Sequence, residues 1–198
     1  MVAKRLPIFL VMLAAMVGLA ACESAPRAVP HFAPLNFTGE PPINLDVASI
    51  QVIDRASAAP VPGDVRQFFP ISLTEAVRTW ARQRLHAVGS QNIARVIIES
   101  AAATGKRIEN AQGMRGFFGS GPAEQYQAEL RVRLEIRNDR GFQAAAASAM
   151  AVRTTTAQAN VTPADQKEIF YKMTKEMIGD IDGEMVKNIH TFMPRYLR

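Results

Sequence analysis

From Tyr126 to Arg137 the chain alternates with a period of two. Tyr126, Ala128, Leu130, Val132, Leu134 and Ile136 fall on one side; Gln127, Glu129, Arg131, Arg133, Glu135 and Arg137 fall on the other. A helix would scatter these apolar residues around its circumference. A strand puts them on one face. A strand of this length needs partners, and Asn138-Asp139-Arg140-Gly141 directly after it is a turn sequence. The following stretch, 142–156, is mixed. Ala144–Ala149 favours helix, but Phe142, Ala144, Ala146, Ser148, Met150 and Val152 alternate, and Thr154–Thr156 favour strand. The tight turn decides for an antiparallel partner strand.

The other elements arrange themselves around this hairpin. Ile43–Val47 alternates and Ile50, Val52 and Ile53 continue the pattern after a slip at Ala48-Ser49, which predicts one strand with a bulge. Ile93–Ala103 predicts a second strand, apolar on both faces around Val96, Ile97 and Ile98, as a central strand would be. It can pair with the first strand through a right-handed crossover. Ser72-Leu73-Thr74-Glu75 is a capping box. Leu73, Ala76, Val77, Trp80, Ala81, Leu85 and Val88 follow it at helical spacing, Arg78, Arg82, Gln83 and His86 take the other face, and Gly89 is the expected stop. Trp80 on the apolar stripe is expected in the core. Thr162-Pro163-Ala164-Asp165 opens a second helix with a cap, a proline at its first position and an acid in its first turn. Its buried stripe reads Ile169, Phe170, Met173, Met177, Ile181, Met185, Ile189 and Phe192, ending near Pro194. Gly179 and Gly183, four apart, point to a close approach by another element or else are tolerated surface glycines. The order β-α-β-β-β-α predicts an α+β two-layer sandwich, with a mainly antiparallel sheet and two helices on one face. At 198 residues, 48% hydrophobic and 21% charged, the chain has material for one core and is neither disordered nor polytopic.

The N-terminus carries an address. Lys4 and Arg5 precede an uncharged apolar run over residues 7–20, a signal-peptide pattern too short for a membrane span. The run ends Leu19-Ala20-Ala21-Cys22, and Cys22 is the one cysteine of the chain, which excludes an internal disulfide framework and a multi-cysteine zinc site. This resembles the lipobox of bacterial lipoproteins at every position. The resemblance implies that residues 1–21 are cleaved as a signal peptide, that the Cys22 thiol carries a diacylglyceryl group, and that its amine is acylated, as with palmitate. Two or three acyl chains anchor firmly where one binds reversibly. Glu23 follows, not the aspartate that retains lipoproteins in the inner membrane. The resemblance therefore favours a lipid anchor in the outer membrane facing the periplasm, with the inner membrane as the alternative. Removing Lys4 and Arg5 from 23 basic residues leaves 21 against 18 acidic ones, a net of +3. That excess is too small to indicate nucleic acid. Residues 22–42, with Pro26, Pro30, Pro34, Pro41 and Pro42, predict an extended tether reaching about 60 Å at roughly 3 Å per residue. Phe32, Leu35 and Phe37 can dock part of it. Residues 43–193 form the single domain and 194–198 a C-terminal tail.

The chemistry inventory favours a non-enzyme. His31, His86 and His190 have no metal-ligand spacing, and no G-x-S-x-G, H-E-x-x-H or paired-carboxylate motif occurs. Thr104-Gly105-Lys106 lacks the first glycine of a phosphate loop, with Ser100 in its place and Arg107 where the hydroxyl belongs. No catalytic residue, metal or cofactor is expected. The most unusual segment is Gly113–Gly121. Met114, Phe117 and Phe118 lie there among four glycines, with Arg115 beside them and Lys106 and Arg107 nearby. Either the rings fold back onto the core, or they form an apolar tip that touches lipid or a protein partner. The strand face with Arg131, Arg133 and Arg137 is a second candidate surface, where Glu129 and Glu135 also permit a solvated set of cross-strand pairs.

A lipobox, a proline-rich tether and one β-α-β-β-β-α domain together resemble small Gram-negative lipoproteins. These include the auxiliary lipoproteins of ABC-type lipid transport systems, the PqiC type, and in element order the lipopolysaccharide-assembly lipoproteins of the LptE type. The resemblance implies a membrane-anchored, non-enzymatic adaptor in envelope lipid or lipopolysaccharide transport or assembly, with an envelope protein as partner. The competing class is a lipoprotein that activates a periplasmic synthase or engages the cell wall. Such a protein needs a longer arm to cross the peptidoglycan layer.

Overall fold

The computed structural model describes residues 31–57, 59–108 and 122–198, all within a unit spanning His31–Arg198. The elements are β1 (Ile43–Leu45), β2 (Ser49–Asp54), α1 (Leu73–Arg84), β3 (Leu85–Ala87), β4 (Ile93–Ile108), β5 (Ala123–Arg137), β6 (Gln143–Gln158) and α2 (Pro163–Phe192). Short 3-10 turns at Arg66–Phe68 and Pro194–Tyr196 complete the set. The architecture is an α+β two-layer sandwich. A four-stranded sheet, β2-β4-β5-β6, carries both helices on one face, and β1 pairs with β3 in a separate small ladder.

Among the described residues the order is therefore β-β-α-β-β-β-β-α, two strands more than the sequence pattern predicts. The expected single bulged strand over 43–53 is two strands. Ile43–Leu45 runs parallel to Leu85–Ala87, and Ser49–Asp54 runs parallel to Ile93–Ile98. The interruption at Asp46–Ala48 matches the one at Val88–Asn92, where the Gly89 and Ala48 amides bond to Val47 and to Gln91 and Asn92 across the gap. A Cβ on Gly89 would collide with the Asp46 carboxylate and lie 2.7 Å from backbone, so only glycine fits this crossing.

Gly89 is thus not the helix stop. The helix α1 ends at Arg84, because Leu85 turns extended (φ −103°, ψ 125°) to pair with Ile43. Backbone pairing with β1 overrides the helical period, puts His86 on a strand and leaves Val88 exposed. At the other end Ser72 accepts from the Glu75 amide (3.2 Å), as a cap should. The Glu75 carboxylate does not return to Ser72; it takes Arg82 at 2.9 Å, which holds its pKa below the ordinary glutamate range.

The strand β4 is central, between β2 and β5, and a bulge changes which of its positions face the helices. Glu99 is an extra residue between Ile98, opposite Val132, and Ser100, opposite Arg131. The bulge shifts the phase by one residue. Even positions (Ala94, Val96, Ile98) face the helices before it, and odd positions (Ala101, Ala103) face them after it. The partner strand expected after Asn138–Gly141 is β6, antiparallel to β5 along its whole length. Its alanines have a packing reason. Ala145, Ala147, Ala149 and Ala151 join the core beneath α2, and small side chains let the long helix lie close to the strand. The helix also covers the strand's free edge. Glu184 accepts from the Met150 amide (3.1 Å), and the Asn188 amide donates to the Ser148 carbonyl (2.7 Å). An open edge of this length would otherwise template aggregation.

The buried stripe of α2 is Phe170, Met173, Thr174, Met177, Ile178, Ile181, Met185 and Ile189. Phe192 falls off it and is 62% exposed. A Cβ added to Gly179 or Gly183 would meet nothing within 4 Å, so they are surface glycines and no element approaches them closely. The aromatic rings of Phe69, Phe170 and Tyr126 form a column, with centroids 4.5 Å and 4.8 Å apart, that ties the α1 approach loop, α2 and the sheet together.

Residues 31–42 lie along the domain. Leu35 is buried in the core and Phe37 packs against it. The Phe32 ring meets Tyr171 at 5.1 Å, and the Tyr171 hydroxyl donates to the Ala33 carbonyl (3.0 Å). At the other terminus, Leu197 bridges to Leu45 and the Arg198 guanidinium pairs with Asp46 at 2.6 Å, so the tail covers β1.

Candidate functional site

A buried polar cluster joins the two helices to the N-terminal strap. Trp80 is fully buried, as expected of a core residue, and its indole N–H donates to Asp182 Oδ1 at 2.7 Å. One helical turn on, Arg84 Nε donates to the same oxygen (2.7 Å) and a terminal nitrogen reaches Oδ2 (3.2 Å). Its remaining terminal nitrogen donates to the Pro41 carbonyl. Arg84 itself is only 3% exposed, and its bonds to Asp182 and Pro41 are part-buried. The guanidinium thus fastens the strap to the helix layer. The signal for this cluster is in the sequence but indirect. A buried tryptophan needs an acceptor for its N–H, and Arg84 lies four residues after Trp80 on the same face. Which carboxylate of the second helix answers them is a matter of packing.

A cleft of about 860 Å³ opens beside α1, under the loop that joins β2 to it. Ala56, Pro60, Val61, Phe69, Leu73 and Ala101 give it apolar walls. Its charged rim is internally committed. Arg66 pairs with Asp64 at 2.6 Å and donates to the Ser57 and Ala59 carbonyls, so it braces the loop. The Arg66 guanidinium holds the Asp64 carboxyl at about 2, well below its ordinary 3.8. Asp54 takes Arg78 at 3.0 Å. The loop is pinned to β4 at Gly63, which has φ +75° and whose carbonyl accepts from the Gly105 amide (2.8 Å). A Cβ on Gly63 would lie 2.5 Å from the Gly105 carbonyl oxygen, so the contact needs glycine on both counts. Below the cleft, the Tyr126 hydroxyl donates to Glu124 (2.5 Å) and accepts from Gln166 (2.8 Å). Burial first, and the Glu124 bond second, push the pKa of that phenol above its usual range.

The third region is the sheet face turned away from the helices. Its middle carries Ile97, only 3% exposed although it is outside the helix-covered core, with Ile53 and Arg133 in register on either side. Arg131, Arg133 and Arg137 share this face, as the alternation predicts, and Arg95 joins them from β4. Glu135 pairs with Arg137 at 2.7 Å, and Glu129 with Arg131 at 3.5 Å. The cross-strand pairs expected here are in fact pairs along a single strand, two residues apart.

Cys22 and the loop residues Met114, Arg115, Phe117 and Phe118 lie outside the described residues. The three histidines do not converge, and among the described residues no group of His, Cys, Asp or Glu is arranged to hold a metal ion. No helix among them is long and apolar enough to cross a membrane.

No family model matches the chain, and no curated protein matches it significantly. Among solved structures it is similar to a minor lipoprotein from Acinetobacter baumannii, with 12% identity and a TM-score of 0.39, over 73% of this chain and 94% of that one. At that level of likeness the functional reading has to stand on this chain's own residues.

Proposed function

We propose that the mature protein begins at an acylated Cys22 and is a lipid-anchored, periplasm-facing lipoprotein of the outer membrane. Its domain acts as a non-enzymatic adaptor in envelope lipid or lipopolysaccharide transport or assembly. The observation that carries this reading is Leu19-Ala20-Ala21-Cys22 at the end of the uncharged run. The docked strap supports it. Because His31 onward packs along the domain, only the residues between Cys22 and His31 are left to span from the lipid, about 30 Å at most when fully extended. That is half the reach expected for a free tether, and too short for an activator working across the peptidoglycan layer. An apolar cleft with self-paired charges suits an adaptor better than a catalyst.

Palmitate labelling and membrane fractionation test the anchor. The wild-type chain takes up label and fractionates with the outer membrane; Cys22→Ala takes up none. Label retained by Cys22→Ala overturns the lipoprotein reading. For the adaptor role, a deletion strain should leak detergent across its outer membrane and recover with the wild-type chain but not with Cys22→Ala. A deletion that lowers peptidoglycan synthesis with an intact permeability barrier points to the activator class instead.

A further inference from the structure

The helix-free face of the sheet has the size and the charge of a protein-docking surface. The strands β4, β5 and β6 run side by side for 15 or 16 residues, with β2 added along part of one edge. At about 3.3 Å per residue and 4.8 Å between strands, the face measures on the order of 800 Å², what one partner contributes to a standard protein–protein interface. It is not a merely solvated surface. Met150 and Val152 are each 44% exposed on its β6 side, next to Arg131 and Glu129 in register. Ile97 between the strands is already shielded by this chain, at 3% exposed. Exposed arginine and methionine are side chains enriched in interfaces.

The charge says what the partner must bring. Glu129 and Glu135 are each taken by the arginine two residues on. That leaves Arg133, bonded to the Gln143 amide oxygen (2.8 Å), and Arg95, whose Nε has no hydrogen-bond partner among the described residues. Neither has a carboxylate within ion-pair distance among those residues. Both arginines flank Ile97, Arg95 two residues before it on β4 and Arg133 directly opposite it on β5. A bilayer would be met by lysines and by aromatic rings. The strand positions of this face hold no aromatic residue, and apart from Lys106 near the end of β4 its cations are arginines, the forked kind that grips carboxylates in pairs.

We infer that this face docks the acidic surface of a protein partner, with Arg95 and Arg133 pairing to its carboxylates around Ile97. This deepens the adaptor reading by assigning its partner surface. The readout below is a crosslink rather than lipid transport, so either idea can fail alone.

The test places a photocrosslinking amino acid at Met150 in the full chain, in cells, with Lys172 on α2 as the control position. The adduct is mapped by mass spectrometry. The expected result is a crosslink from position 150, absent from position 172, to a segment of another protein rich in Asp and Glu. Arg95→Glu with Arg133→Glu should cut its yield at least tenfold. Changing the mapped acidic residues to Lys should restore yield in that charge-reversed chain. Arg95→Gln with Arg133→Gln, which introduces no repulsion, should cut it severalfold at an unchanged melting temperature, a control for folding. Adducts only to a second copy of this chain, only to lipid, or to a segment without acidic residues overturn the proposal. So does a yield that the glutamine pair leaves unchanged.

Discussion

The two faces of the four-stranded sheet are made from the same strands, residue by residue in alternation, and they behave oppositely. Tyr126, Leu130, Val132, Leu134 and Ile136 point under the helices and are buried. One position along, Arg131, Arg133 and Arg137 point away; Arg131 and Arg137 pair with carboxylates on the same surface, and Arg133 has only the Gln143 amide oxygen. On the covered face the alternation continues across the strands, because β6 supplies small alanines where α2 lies close. On the open face no helix packs over Ile97 among the described residues, yet the chain itself leaves it only 3% exposed. The difference teaches that the covered face is specified by volume and the open one by charge. Substitutions should separate them accordingly.

The largest contrast is expected at Trp80. Trp80→Ala removes a fully buried ring and leaves Asp182 with one donor fewer, costing roughly 3–5 kcal/mol. Thr154→Ala on the open face should change stability by less than about 0.5 kcal/mol. Denaturant unfolding of both measures the difference, and equal losses would dissolve the contrast between the faces. Next in size is Gly183→Ala. It stands on the outside of α2 with open space around it, so the substitution should stabilise by about 0.5–1 kcal/mol and raise the melting temperature. A loss instead would mean that something covers that helix face.

The smallest effect is a pH dependence at the cleft. The folded-state pKa of Asp64 is depressed, from 3.8 to about 2, so its ion pair with Arg66 contributes stability above pH 3.8. That contribution is lost as the pH falls from 3.8 through 2. Asp64→Asn should remove this part of the acid sensitivity and leave stability near neutrality only slightly lower. An unchanged acid profile would place the sensitivity in other carboxylates.

Much of this was legible in the chain. The β5 alternation, the hairpin after it, both helix caps, the α2 stripe up to Ile189 and the burial of Trp80 all follow from period and from local hydrogen-bond chemistry. They are local properties, set by residues within a few positions of one another. The strand–helix ambiguity of the alanine run was legible only through its neighbours, since alanine's own preference is for helix, and that preference is weak enough for the turn and strand pairing to override.

What the sequence by itself determined is therefore the class of each long element and which side of it is apolar, because side-chain period is fixed by backbone geometry alone. The tetrapeptide Leu19-Ala20-Ala21-Cys22, on which the proposed anchor rests, is likewise a linear pattern. Only the tertiary structure decided where α1 stops, since Leu85 follows its distant partner Ile43 rather than its own helical period. Only it shifted the phase of β4 at Glu99, divided the first strand between two ladders, joined Trp80 and Arg84 to Asp182 across about a hundred residues, and laid the proline-rich strap on the domain. Each of these is a contact between residues far apart in the chain. Its free energy depends on geometry that no local window contains.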